Sequence, residues 1–248
     1  KLIEFLVLLQ LNLSKPQYRH VLNIVDAAIV CESPHKTMTT LYDLIVDAPH
    51  PSNAADCLRI SPWLAVDLRE PLREFTIGDL MQLAGILEGE ALYVSIDDSL
   101  TEKDKGTTCL EAVDWHHDHT KSFGKKQVYT KGTQHVEVRI QLGDQAYVYD
   151  WGLYLREKTV RRLNRKRSKG QRLSFRTKYR IARAILADLK QRLPAGFPVY
   201  VLFDSWYASN KLLKFCRRQG WHVICAIKSN RTLDGVKLSK WNQRLKHQ

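Results

Sequence analysis

Apolar residues in the first third of the chain recur at helical intervals. Leu2, Ile3, Leu6, Leu9 and Leu13 make one stripe and Val21, Leu22, Val25, Ala28 and Ile29 a second, and the pattern resumes from Thr39 to Val46 after a break at Ser33-Pro34. Pro49, Pro51, Pro62 and Pro71 punctuate the stretch beyond Val46, with Ser61-Pro62 setting proline at the first turn of a short helix that carries Trp63 and Leu64. Phe75, Leu80, Leu83 and Leu87 predict one last helix before Gly89. The reading is a small all-α domain over residues 1–88. Its basic residues are sparse and mixed with acids, so a DNA-reading helix and plain packing helices explain the pattern equally.

Beyond residue 89 the period changes. Ala91-Leu-Tyr-Val-Ser-Ile-Asp97-Asp98-Ser99 is a β-branched and aromatic run that stops at two carboxylates, and Pro198-Val-Tyr-Val-Leu-Phe-Asp204-Ser205 repeats the design. Between them Val136, Val138, Ile140 and Leu142 alternate with polar residues, and Gly143-Asp144 turns the chain back, so residues 136–155 read as an antiparallel hairpin. Ala182, Ile185, Leu186, Leu189 and Leu193 give an amphipathic helix stopped by Pro194 and Gly196. A second helix runs from a cap at Ser209 or Asn210 to Gly220, and Trp221 to Ile227 is a final buried strand. The predicted order is strand, hairpin, helix, strand, helix, strand. A right-handed crossover then lays the Asp204 strand parallel to the Asp97 strand and brings the carboxylates to one sheet edge.

Composition is ordinary for a globular chain of 248 residues, but the net charge is +13. Such a balance points to a polyanionic partner. Much of the charge sits between Arg156 and Arg192, in Arg161, Arg162, Arg165, Lys166, Arg167, Lys169, Arg172, Arg176, Lys178, Arg180 and Arg183, and from residue 158 onward only Asp188 opposes it. Clustering of this kind is the electrostatic footprint of a phosphate backbone, and the segment from Arg161 to Arg176 is the predicted DNA contact. No run reaches the roughly 20 apolar residues of a membrane span. Five cysteines with no CxxC pair fit a reducing cytoplasm better than a disulfide framework.

Leu100 to Gln134 reads as a long polar connection rich in lysine and glycine. It contains His116-His117-Asp118-His119, which invites a zinc reading, but no Cys or His partner recurs at finger spacing and a solvated or substrate-facing loop is the better expectation. Gly124-Lys125-Lys126 lacks the flanking residues of a P-loop. Asp150, a lone acid near a hairpin end, is read as structural.

These residues resemble a known family. The order of elements, with Ser95-Ile-Asp97-Asp98-Ser99, Phe203-Asp204-Ser205-Trp-Tyr-Ala-Ser and Ala226-Ile-Lys228-Ser-Asn-Arg231, is similar to the ribonuclease H-like domain of the DDE transposases of bacterial insertion sequences, in the group whose glutamate lies in a Tyr-Arg-Glu-Lys-type region. The resemblance covers residues 90–248. It implies an α/β fold with a mixed sheet and flanking helices over residues 89–248, preceded by the all-α domain. It also implies metal-dependent cleavage and transfer of DNA strands at insertion-sequence ends. Asp97 or Asp98 would act with Asp204 as catalytic, metal-binding acids. Asp97 is favoured by the Asp-x-Ser arrangement, but neighbouring strand residues face opposite ways and the residues leave both open. Hard oxygen ligands suit Mg2+ or Mn2+. Duplex DNA as partner, a homodimer when complete and a bacterial, nucleoid-associated cytoplasmic location follow from the same resemblance. A DDE site needs a third carboxylate, yet beyond Asp204 the chain has no Glu and only Asp234. The expectation is a chain that stops before the glutamate helix and is inactive alone. Two alternatives accompany it: a nuclease of this fold without strand transfer, and a non-catalytic basic DNA-binding protein.

Overall fold

The computed structural model describes residues 2–33, 36–47, 49–85, 87, 89–233 and 235–245, so Pro34 of the predicted break and Asp234 lie outside the described residues. The chain forms two compact units, Lys1–Asp79 and Leu80–Gln248.

The first unit is helical: α1 (Leu2–Leu8), α2 (Lys15–Val30), α3 (Met38–Tyr42), α4 (Pro51–Ile60) and the start of α5 (Ala65–Ala84). Its core gathers Ala27, Cys31, Leu41, Tyr42 and Ala54, with Ile24, Ala28, Met38 and Ile45 packed around them. Helix α2 begins on a capping box, in which the backbone N–H of Ser14 donates to Gln17 Oε1 at 2.8 Å. Three expectations change here. Pro51 is not punctuation but the first residue of α4, where a missing N–H costs nothing. Pro62 starts no helix, and Trp63 instead donates its indole N–H to the Cys57 carbonyl at 2.8 Å. Pro71 lies inside α5, a single long helix.

The second unit is built on a mixed sheet. Its strands are β1 (Leu92–Glu102), β2 (Asp114–His117), β3 (Tyr129–Leu142), β4 (Gln145–Tyr154), β5 (Val199–Phe203) and β6 (His222–Cys225). Strand β3 pairs antiparallel with β1 on one side and with both β2 and β4 on the other, while β1, β5 and β6 run parallel. The strands lie in the order β4-β3-β1-β5-β6, and β5 runs parallel to β1 as the predicted crossover required. Helices α6 (Glu157–Asn164), α7 (Lys178–Arg192) and α8 (Asn210–Arg218) flank it, with a short pair β7 (Thr232–Leu233) and β8 (Val236–Lys237) and helix α9 (Leu238–Leu245) at the end.

The pleat explains the core. Leu92, Val94 and Ile96 of β1 register with Val199, Val201 and Phe203 of β5, and all six are buried. Val136, Val138, Ile140 and Leu142 continue that face on β3, and Ile181, Ala182, Ile185, Leu186 and Leu189 form the buried stripe of α7. Helix α7 lies so close to β4 that a Cβ on Gly152 would stand 2.3 Å from Cγ2 of Ile181. At the β3–β4 turn Gly143 takes a positive φ of 54°, which a two-residue hairpin loop asks of glycine.

The predicted long connection is in part strand. β1 continues past its acids to Glu102, β2 interrupts the loop, and β3 begins at Tyr129. The acids of β1 therefore sit inside a strand, at the point where pairing with β5 stops, rather than at a strand end. Helix α6 was hidden in the basic run, and α7 begins at Lys178, one turn before the apolar stripe announces it.

Candidate active site

Alternation along β1 sends its two acids to opposite faces. Asp98 follows the even-numbered, buried series and Asp97 the odd-numbered, exposed one. The last residues paired between β1 and β5 are Ile96 and Phe203, so Asp97, still within β1, and Asp204, just past the end of β5, directly follow that pair. Both are exposed.

Their immediate partners are backbone groups. Asp97 Oδ1 accepts the N–H of Asp98 at 2.8 Å, and Asp204 Oδ1 accepts those of Trp206 and Tyr207 at 2.9 and 3.2 Å. Among the described residues, neither carboxylate meets a cation or a side-chain donor.

Asp98 is satisfied from three sides. Its Oδ2 accepts Lys178 Nζ at 2.7 Å and Gln134 Nε2 at 2.6 Å, and its Oδ1 accepts the Tyr207 hydroxyl at 3.2 Å. Lys178 also lies 5.4 Å from the centre of the Tyr154 ring. Tyr207 is fully buried, and burial first, then the carboxylates of Asp98, Asp97 and Asp204, push its hydroxyl far above the usual tyrosine range. It therefore stays a neutral donor. Through its N–H on Asp204 and its hydroxyl on Asp98, this one residue ties the end of β5 to β1.

Glu137 is a third acid on the exposed face. It stands directly opposite Asp97 in the β1–β3 register and accepts Ser99 Oγ at 2.5 Å. Like charges facing across strands are unfavourable without a counter-ion. Among the described residues, however, no three His, Cys, Asp or Glu side chains are grouped closely enough to hold one ion.

The His116–His119 run does three separate things. His116 is buried on β2, where burial lowers its pKa and its Nε2 finds no hydrogen-bond partner among the described residues. Asp118 is also buried; hydrogen bonds from Thr120 and Thr130 hold its carboxyl far below the usual range, and the N–H of Lys121 adds a further bond. It is the cap that folds the β2–β3 connection. His117 and His119 remain near the surface, 3.3 Å apart between Nδ1 and Nε2, and the His119 ring lies 5.4 Å from that of Trp206. At the tip of the connection, Phe123 and Lys126 exchange backbone hydrogen bonds around Gly124, and Phe123 is 90% exposed. Asp150 is buried on β4 opposite Val138, beside a β-bulge.

The basic segment divides between paired and unpaired cations. Arg161 bonds Glu157 at 2.6 Å, Arg162 the Glu111 carbonyl at 3.2 Å and Arg167 the Glu111 carboxylate at 2.8 Å. Among the described residues, the side chains of Arg165, Lys166, Lys169, Arg172 and Arg176 have no partner. Arg162, Lys166 and Arg167 also line a cleft of about 390 Å³ with Lys131 and Glu111.

Sequence reasoning passed over Tyr207, Lys178, Gln134, Trp206 and Glu137. Only Trp206-Tyr207 carried a signal, two aromatics directly after a strand-ending Asp-Ser. The others are recognisable only once the sheet register is known.

Among curated proteins none matches the chain. Solved structures with some likeness include a piggyBac transposase synaptic complex with hairpin DNA, at 13% identity and a TM-score of 0.41, covering 88% of this chain and 43% of that one. A Mos1 transposase paired-end complex with left transposon end stands at 14% identity and 0.27, covering 81% and 57%. The chain thus spans less than two thirds of the length of either. The family model described as DDE superfamily endonuclease matches residues 9–244, nearly the whole length, and the chain belongs to that family.

Proposed function

We propose that this chain carries the strand-cleaving site of a DNA transposase, with Asp97 and Asp204 as its metal-binding carboxylates and Asp98 as the residue that positions them. The observation that carries this reading is that Asp97 and Asp204 directly follow the last residue pair of two adjacent parallel strands, each with a carboxylate that meets no cation among the described residues. DDE endonucleases use divalent metal ions, and the donor set fits one, since among the described residues each acid keeps a hard oxygen, its Oδ2, with no donor upon it. The ion we favour is Mg2+ or Mn2+. When bound, such an ion activates a water or a 3′-hydroxyl and stabilises the leaving oxygen of a phosphodiester.

The chain's own residues do the rest. The N–H groups of Trp206 and Tyr207 fix the Asp204 carboxylate. Lys178, Gln134 and Tyr207 hold the Asp98 carboxylate in place, which steadies the backbone that presents Asp97. The unpaired cations of the 165–176 segment supply the attraction for duplex DNA. The test is a labelled DNA end with a free 3′-hydroxyl, incubated with the full chain, Mg2+ or Mn2+ and a plasmid. A transposase joins label to plasmid. Metal-dependent cutting without joining supports the nuclease alternative, and binding without either supports the non-catalytic one.

DNA affinity should fall linearly with salt on logarithmic axes, with a slope of about −0.9 per contacted phosphate. Replacing Arg165, Lys166 and Arg167 together by Ala should flatten that slope in a titration on a labelled duplex. An unaltered slope would move the contact away from this segment, to the lysine-bearing connection between β1 and β3 or to the helical unit.

A further inference from the structure

Four rings follow one another across the surface of the second unit toward the candidate carboxylates. Tyr129 meets His117 at 5.5 Å between ring centres, His117 meets His119 at 4.3 Å, and His119 meets Trp206 at 5.4 Å. The series ends under Lys228, whose Nζ is 5.0 Å from the Trp206 ring. Resting on the reading above, we propose that this series is a stacking track for the unpaired nucleotides of a DNA strand, leading its end to Asp204.

The contacts are edge-on or tilted, with interplanar angles of 64°, 88° and 59°, so the rings brace one another without covering each other face to face. The two end rings stay open, Tyr129 at 49% and Trp206 at 43% exposure. Rings with this much exposed area, held at fixed angles by their neighbours, suit bases, because every base has a π-face to stack on. Duplex DNA hides those faces. The track therefore selects DNA whose strands are separated. Position gives the direction, since Trp206 follows Asp204 by two residues and its backbone N–H is bonded to the Asp204 carboxylate, which puts the Trp206 end of the series nearest the site. Lys228 supplies a cation at the same end, and the Ser122 hydroxyl, 3.1 Å from His117 Nε2, fixes the middle of the series to the β2–β3 connection.

The experiment compares two labelled duplexes, one blunt and one with a 3′ single-stranded extension of about eight nucleotides, within the site sizes of single-strand binders. The extension carries 2-aminopurine near its end, whose fluorescence falls on stacking. The full chain should bind the extended duplex about tenfold more tightly than the blunt one, the effect of one stacked base, and quench the probe. Tyr129→Ala should erase most of that preference and the quenching while leaving blunt-duplex affinity unchanged; Trp206→Ala should also erase the preference and the quenching, and Trp206→Phe should retain both. If Trp206→Ala proves unfolded by circular dichroism, Tyr129→Ala carries the test. Equal binding of the two duplexes without quenching, or equal losses on both in the variants, would overturn the track. A track that stands while Asp204→Asn leaves cleavage intact would instead overturn the function proposed above, so the two failures are distinguishable.

Discussion

Asp204→Asn is expected to lower metal-dependent cleavage of plasmid DNA by about three orders of magnitude in protein that carries the third carboxylate, with duplex affinity unchanged or slightly raised. An amide offers one neutral oxygen where a carboxylate offers charge, and loss of the metal's share of transition-state stabilisation, several kcal/mol, translates at about 1.4 kcal/mol per decade into a factor of about 10³. Affinity moves the other way because one negative charge near the phosphates disappears. Asp97→Asn should behave alike. Asp98→Asn should cost far less, because Lys178 and Gln134 already occupy its Oδ2 and Tyr207 its Oδ1. A gel assay of plasmid nicking over a Mn2+ series separates the three. Severe loss in Asp98→Asn beside mild loss in Asp97→Asn would transfer the metal-binding role to Asp98.

The second large effect is on stability. The Lys178–Asp98 pair is 2.7 Å long and its side chains are 14% and 16% exposed, so water screens it poorly. Lys178→Met should destabilise the protein by about 3 kcal/mol, mostly because it leaves a carboxylate in a poorly hydrated place with only neutral donors. Adding Asp98→Asn to Lys178→Met should recover much of that loss. Urea unfolding of the two single variants and the double variant gives the coupling directly. Additive losses would mean that the pair contributes nothing beyond its separate residues.

How much of this was legible in the sequence depended on whether burial and polarity agreed. Strands β1 and β5 were readable because each is a mostly apolar, β-branched and aromatic run ending in a carboxylate, while the choice of Leu92, Val94, Ile96, Val199, Val201 and Phe203 as the buried members comes from the fold. Strand β2 was not, because only His116 of its four residues is buried and the rest read as loop. Helix α6 vanished into the charge run, although Thr159 and Val160 are buried on its inner side. Helix α4 was lost because proline was read as a stop where it was a start. The candidate carboxylates themselves were legible as Asp97, Asp98 and Asp204. What the sequence left open was how the two neighbours divide, and that turns on three long-range partners, Lys178, Gln134 and Tyr207, which lie 80, 36 and 109 residues from Asp98. No local pattern encodes such distances.

The missing side chain at Gly152 acts as a shim. Ile181 and Lys178 share the first turn of α7, and the depth to which Ile181 sinks against β4 decides how far Lys178 must reach to Asp98. With 2.3 Å where ordinary carbon contacts need about 3.5–4.0 Å, a single methyl at 152 would lift that turn by roughly 1 Å. A hydrogen bond of 2.7 Å stretched by that much falls outside bonding range. The tolerance of the acid pair is thus machined into a strand that carries none of its ligands, and a substitution there would masquerade as a defect in chemistry.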